Sequence, residues 1–217
     1  MNNRTVIVSG GMLDEEFALS ILREQSTEYI IAVDRGLAFL YRFKIRPDVI
    51  LGDFDSLPAE ILAYYQKNTD IPVRRFNPVK DATDTENAIR LAIEKGKKSI
   101  RILGATGSRL DHVWSNVQSL KIALDAGVEA EILDPNNRIR LFDRDIVLQR
   151  EEAFGKCFSL FPLNGPVEDL SISGAKYPLY KHRLEPFDSL CVSNEIQGEA
   201  AEIRFPEGLV ILMETRD

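Results

Sequence analysis

The amino-acid sequence predicts an α/β protein, with an N-terminal parallel-sheet α/β domain over residues 1–137 and a small antiparallel β-sandwich over residues 138–217. Two observations predict it. Up to about residue 133, strand-like apolar runs alternate with segments of helical period, the pattern of a parallel sheet covered on both faces. After Asp134-Pro135-Asn136-Asn137 the pattern changes to short strands separated by turn signals, which suits an antiparallel sandwich.

The elements follow in order. The β-branched run Thr5-Val6-Ile7-Val8 is a buried strand, followed by Gly10-Gly11. A helix is expected over 14–25, where Phe17, Ile21 and Leu22 recur at helical spacing and Asp14-Glu15-Glu16 complements the dipole of the first turn. Strands are expected over 29–33 and 48–51, the latter ending at Gly52-Asp53. A helix over 57–66 has Pro58 near its first position, where the missing N–H costs nothing. A short strand over 71–74, a helix over 83–95, a strand over 99–103, a helix over 111–125 and a strand over 128–133 complete the series. In the second half, strands are expected over 139–142, 146–148, 158–161, 170–173, 190–193, 202–205 and 210–213. Asn164-Gly165, Ser173-Gly174 and Pro206-Glu207-Gly208 supply the turns.

Composition narrows the function classes. Hydrophobic residues make up 44% of the chain and charged residues 28%, so a core can be buried without disordered tracts. The formal net charge of -7 argues against nucleic acid as a partner, and means that any ATP site needs metal ions and a few well-placed cations. Cys157 and Cys191, isolated in apolar runs, read as small core residues and not as a disulfide or zinc framework. Met1-Asn2-Asn3-Arg4-Thr5 leads into a five-residue apolar-rich strand and then glycines, too short for a signal peptide, and no apolar run reaches the length of a membrane span. A cytoplasmic protein with no membrane association is expected.

Ligands of open parallel sheets bind beyond the carboxyl ends of the strands, which puts the loops at Gly10, Asp34, Asp53, Lys80 and Gly104 along one edge. Gly52-Asp53-Phe54-Asp55-Ser56 is the densest chemical signal. In extended chain Asp53 and Asp55 share a face and can address one hard cation, magnesium being satisfied by one or two carboxylates plus phosphate oxygens. The alternative is that Asp55-Ser56 turns the chain or caps the next helix. Lys80-Asp81-Ala82-Thr83-Asp84 precedes a helix, and either Asp81 or Thr83 suits its N-cap. Capping needs only one of these groups, and Lys80 adds a cation where phosphate would sit. The third loop, Gly104-Ala105-Thr106-Gly107-Ser108-Arg109-Leu110-Asp111-His112, follows a strand and opens a helix. Its backbone N–H groups suit phosphate, and Arg109 suits a bidentate phosphate contact. It is not a Walker A loop, because no Gly-Lys-Ser/Thr follows.

Together these loops resemble the thiamine pyrophosphokinase family. The family's Asp-Gly pair appears as Asp34-Arg35-Gly36, with an added arginine. Its Gly-Asp-x-Asp-Ser, Asp-x-Thr-Asp and Gly-x-x-Gly-x-Arg-x-Asp-His loops appear at 52–56, 81–84 and 104–112. The segments from Gly174 to Leu179 and from Val192 to Glu195 resemble the family's thiamine-contacting segments, with Ala175 and Cys191 in place of the commoner Leu and Gly. The resemblance spans nearly the whole chain. It implies transfer of the pyrophosphoryl group of ATP to the hydroxyethyl group of thiamine, giving thiamine diphosphate and AMP.

The same resemblance implies a catalytic set of Asp53, Asp55, Asp81, Asp84 and Arg109, with Asp53, Asp55 and Asp84 as ligands of Mg2+. Asp34, Lys80, Thr83, Gly104, Gly107, Arg109, Asp111 and His112 would line the ATP and phosphate region. Tyr177 would lie against thiamine, with Ser193 and Asn194 making polar contacts to it. A homodimer is implied, with the active site at the subunit interface and the β domain contacting thiamine. A phosphatase of the haloacid dehalogenase type also uses Asp-x-Asp after a strand, but there a Thr or Val stands where this chain has Leu57, and the motif follows the first strand, not the third. A binding module without catalysis would be expected to have lost some of these carboxylates, and all are present.

Overall fold

The computed structural model describes residues 3–75, 82–107 and 109–217. The chain divides into two units, Met1–Pro135 and Asn136–Asp217. In the first, β1 (Arg4–Val8), β2 (Thr27–Val33), β3 (Val49–Gly52), β4 (Val73–Arg75), β5 (Ser99–Leu103) and β6 (Glu129–Leu133) lie in the order β6-β5-β1-β2-β3-β4. Neighbouring strands run parallel. Val6, Ile7, Val8, Ile31, Ile50 and Ile102 are fully buried, the continuous burial of strands covered on both faces. The helices between the strands are α1 (Glu15–Leu22), α2 (Gly36–Arg42), α3 (Ala59–Asn68), α4 (Asp84–Glu94) and α5 (Leu110–Asp125).

The chain steps from β1 through β2 and β3 to β4, then returns through α4 to β5 on the other side of β1. Strand order therefore reverses between β1 and β5. In open α/β sheets the crevice at the carboxyl ends beside such a reversal is the ligand site.

Local chemistry explains where the elements begin and end. Asp14 caps α1, its Oδ1 accepting the Phe17 N–H at 2.9 Å. The helix stops at Leu22 and not at 25, because the Thr27 hydroxyl donates to Ile21 O and the Thr27 N–H to Glu24 O, turning the chain into β2. Thr83 caps α4, accepting the Glu86 N–H at 3.2 Å. Pro58 is the residue before α3, so that helix begins at Ala59. Helix α2 was not expected from the sequence: it is short, has no side-chain cap, and buries Leu37 and Leu40. Among the described residues, no helix is long and apolar enough to cross a membrane.

The second unit holds β7 (Asn137–Phe142), β8 (Ile146–Gln149), β9 (Cys157–Pro162), β10 (Val167–Ser173), β11 (Leu179–Leu184), β12 (Asn194–Glu195), β13 (Ala200–Arg204) and β14 (Val210–Thr215). They form two antiparallel layers, β12-β9-β14-β7 and β11-β10-β13-β8. Phe158, Leu160 and Leu212 of one layer pack with Leu148, Leu170, Ile172 and Ile203 of the other in a single apolar cluster, which makes the unit a sandwich. Glu214 is buried at 3% side-chain exposure, where Arg138 and Arg140 both pair with it and the Phe154 N–H donates to it.

One expectation fails here. Residues 190–193 do not form a strand: the Leu190 N–H donates to Asp188 Oδ1, the Val192 N–H to Ser189 O, and Ser193 turns with φ 58. The apolar run exists because Cys191 anchors the loop, buried, with its carbonyl accepting the Leu160 N–H at 3.0 Å. Conversely, β11 was not anticipated. Its sequence, Leu-Tyr-Lys-His-Arg-Leu, is polar because the strand is an edge whose residues before Leu184 are exposed or half-buried.

Candidate active site

At the strand-order reversal the loops after β1 and β5 are joined backbone to backbone. The Ser9 N–H donates to Leu103 O at 2.8 Å and the Gly11 N–H to Gly104 O at 2.9 Å. A Cβ on Gly11 would stand 2.4 Å from Gly104 O, and one on Gly104, at φ +66, would stand 2.5 Å from Ser9 O. Only residues without side chains allow this approach. Asn116 on α5 donates from Nδ2 to Ala105 O at 2.8 Å, fixing the second loop. The buried hydroxyls of Ser9 and Thr85, 3.0 Å apart, tie the first loop to α4. Sequence reasoning missed Ser9, Thr85 and Asn116. The available signal was a carboxamide at 116 on the helical face that carries the buried Leu120 and Ala123.

The acidic groups come from three elements. Asp34 follows β2 in a left-handed conformation, φ 46, with its N–H donating to Leu51 O at 3.0 Å. Its Oδ1 accepts the Phe54 N–H at 3.3 Å across the end of β3. That carboxylate also shares a hydrogen bond with Asp84, the first residue of α4. Burial, followed by the negative charge of Asp84 and the shared bond, pushes the Asp34 carboxyl up to about 7, and Asp53 adds to the same effect. The Phe54 N–H opposes it. Asp53 and Asp84 are thus both electrostatic neighbours of Asp34.

The chain between Asp53 and Asp55 is not extended. Phe54 between them is left-handed, φ 65, and its ring turns inward and is buried. Asp53 Oδ1 accepts the Asp55 N–H at 3.1 Å, forming an Asx turn, and Asp55 is exposed. Among the described residues, no group of three or more Asp, Glu, His or Cys side chains is arranged to hold a metal by itself. Of the expected ligands, Asp53 and Asp84 act electrostatically on Asp34, and Asp55 is joined to Asp53 by the turn. Lys80 and Asp81 lie outside the described residues. Of the two candidate caps, Thr83 is the one in use.

At the start of α5, Arg109 and Asp111 form an exposed pair, Nη2 to Oδ2 2.6 Å and Nε to Oδ1 3.2 Å. The shared hydrogen bond raises the arginine above its usual value and lowers the aspartate below its own, so both stay charged. Asp111 Oδ1 also accepts the His112 N–H at 3.0 Å. Gly107 is left-handed at φ +118 against the Met12 side chain.

In the second unit the structure brings Tyr177 and Asn194 together. Asn194 Oδ1 accepts the Tyr177 N–H at 3.0 Å, and its Nδ2 donates to Tyr177 O at 2.8 Å. Asn194 is buried, whereas Tyr177 and Ser193 are exposed. The Ser193 N–H donates to Ser159 Oγ at 3.0 Å, leaving its own hydroxyl at the surface.

Comparison with known proteins follows these two units. Residues 22–132 match the family model of the thiamin pyrophosphokinase catalytic domain, and residues 144–210 match that of the thiamin pyrophosphokinase vitamin B1 binding domain. Thiamine pyrophosphokinase of Bacillus subtilis is 28% identical over 97% of this chain and 98% of its own length. The crystal structure of the B. subtilis protein superposes with a TM-score of 0.87 at 27% identity, covering 99% of both chains. That of the thiamin pyrophosphokinase from Geobacillus thermodenitrificans gives 0.85 at 32% identity, over 99% of this chain and 98% of that one. With a match in each unit, and relatives aligned over nearly their whole length, the chain belongs to the thiamin pyrophosphokinase family.

Proposed function

We propose that this chain transfers the pyrophosphoryl group of ATP to thiamine, and that the edge carrying Asp34, Asp53 and Asp84 performs the chemistry. The thiamine hydroxyl oxygen attacks the β-phosphorus, the bond from that phosphorus to the α–β bridging oxygen breaks, AMP leaves with the bridging oxygen, and the hydroxyl proton is released. Such transfers depend on positioning and charge neutralisation more than on covalent catalysis. The observation that carries the reading is the Asp34–Asp84 contact, two carboxylates sharing a hydrogen bond at the carboxyl edge of a parallel sheet.

A hard divalent cation fits this chemistry. The donors are carboxylate oxygens, and magnesium needs only one or two protein carboxylates when phosphate supplies other oxygens. Asp53, Asp55 and Asp84 would hold Mg2+, which when bound supplies neutralisation of the phosphate charge. Asp34 orients Asp84 and the Phe54 backbone beside them. Asp81 and Lys80, which precede Thr83 in the sequence, would add an acidic and a cationic group. Thr83, Gly104 and Gly107 border the phosphates, and Arg109, paired with Asp111 beside His112, offsets charge developing on the transferred group.

Thiamine packs on Tyr177, with the Ser193 hydroxyl and Asn194 near it. The active form is a homodimer in which the second unit of one subunit meets the first unit of its partner. The exposed side chains of Tyr180, Phe187, Leu190 and Val192 support this, being large apolar groups left in water by the folded subunit. A cytoplasmic location accords with two free cysteines.

The test is to incubate purified protein with thiamine, ATP and magnesium and resolve the products by chromatography. Thiamine diphosphate formed in step with AMP is expected. Thiamine monophosphate with ADP would reject pyrophosphoryl transfer, and binding without turnover would reject catalysis.

A further inference from the structure

We propose that Asn194 is a positioning residue for thiamine binding, clamping the backbone of Tyr177 without itself touching the substrate. The inference rests on the reading of Tyr177 as the thiamine-facing ring and departs from the expectation that Asn194 contacts thiamine directly.

The carboxamide is committed on both sides. Oδ1 accepts two N–H groups, from Tyr177 at 3.0 Å and from Glu195 at 2.9 Å, while Nδ2 donates to Tyr177 O at 2.8 Å. Turning the amide over would set its NH2 against two N–H donors, so the network defines the orientation. Asn194 is 3% exposed and Tyr177 is 55% exposed. The buried side chain therefore grips the main chain of a residue whose ring stands in solvent.

The clamp closes a wider ladder between the two segments. The Lys176 N–H donates to Glu195 O at 2.9 Å, the Gln197 N–H donates to Gly174 O at 2.7 Å, and Ala175 bridges Ile196. Lys176 Nζ reaches Glu195 Oε1 at 2.8 Å and lies 5.5 Å from the centre of the Tyr177 ring. No neighbour in the ladder duplicates the Asn194 bonds, because they take the N–H and C=O of Tyr177 itself. An aspartate could accept but not donate, and a serine oxygen is one atom too short to bridge both groups. With both backbone groups held, the ring is presented before substrate arrives, which removes an ordering cost from binding.

The experiment compares thiamine KM, ATP KM and kcat for the full-length protein and for Tyr177→Ala, Asn194→Ala, Asn194→Asp and the Tyr177→Ala/Asn194→Ala double variant. Hydrogen exchange at the Tyr177 amide is followed in parallel. Asn194→Ala is expected to raise thiamine KM about tenfold or more, with ATP KM unchanged and the Tyr177 amide exchanging faster. In the Tyr177→Ala background the same change should add less than about twofold, since the two residues act as one unit. If Asn194→Ala does not fold, Asn194→Asp, which keeps the acceptor and loses the donor, replaces it with the same expected pattern. An Asn194 effect persisting in full without the Tyr177 ring would mean direct contact and overturn the proposal. A wild-type thiamine KM in Tyr177→Ala would instead reject the placement of Tyr177, and the proposal with it. The two failures are therefore distinguishable.

Discussion

The carboxylate of Asp34, at the end of β2, lies against the α-carbon of Gly52, at the end of β3, so closely that a Cβ on Gly52 would stand 1.8 Å from Asp34 Oδ1. Gly52 also holds φ at +148, a conformation that side-chain-bearing residues rarely adopt. One glycine thus lets a carboxylate from one strand reach across the end of the next, where it meets the Phe54 N–H and Asp84.

Gly52→Ala should therefore damage both fold and function. Backbone strain alone should cost about 1–3 kcal/mol, and the methyl group must also displace Asp34. Urea denaturation and steady-state turnover on the same preparation check this. Wild-type stability together with wild-type turnover would show that the Asp34–Gly52 approach is unimportant.

Asp53→Asn separates charge from structure. The carboxamide oxygen can still accept the Asp55 N–H, so stability should stay within about 0.5 kcal/mol of wild type. Turnover should fall by about a hundredfold or more through loss of a carboxylate that would hold the cation neutralising the reacting phosphates. Near-normal turnover would remove Asp53 from the metal site.

Thr83→Ala removes the cap of α4 and should lower stability by about 1 kcal/mol, while Thr83→Ser should retain most of it. Thermal melts of the three proteins provide the comparison. Equal losses in both variants would mean that the methyl group, and not the hydroxyl, is what matters.

Glu214→Gln tests the buried cluster of the sandwich. Burial alone would raise the Glu214 carboxyl, but the Arg138 hydrogen bond, the charges of Arg140 and Arg138 and the Phe154 N–H outweigh it, leaving it below its usual 4.5. Removing one partner of such a buried pair costs about 3–5 kcal/mol at neutral pH. A depressed carboxyl contributes stability above its unfolded value and loses it as pH falls through the folded one. The gap between wild type and Glu214→Gln should therefore be full at pH 7 and shrink below about pH 4.5. A gap that stays constant across that range in denaturation experiments would disprove the charged role of Glu214.

Much of this architecture was legible in the sequence. Apolar runs and helical periods located β1, β5, α4 and α5, and the change of period after Asp134 marked the passage to short antiparallel strands. The motif loops were found because strand–loop–helix punctuation put them at strand ends. Two elements were not legible for a stated reason. The polar edge strand β11 lacks the alternation that burial imposes, and the loop at 190–193 imitates a strand because one buried cysteine anchors apolar neighbours that remain in water.

By itself the sequence determined the fold class, the family signature and the set of side chains available to the site, because these follow from residue type and local spacing. Only the tertiary structure decided what those side chains do to one another. Phe54 turned left-handed and set Asp53 and Asp55 in a turn instead of extended chain. Gly52 let Asp34 reach Phe54 and Asp84, and burial then raised the Asp34 carboxyl. Asn194 is buried, with its carboxamide bonded to both backbone groups of Tyr177. Each outcome depends on contacts between residues distant in the chain, and on the burial those contacts create, which no local spacing encodes.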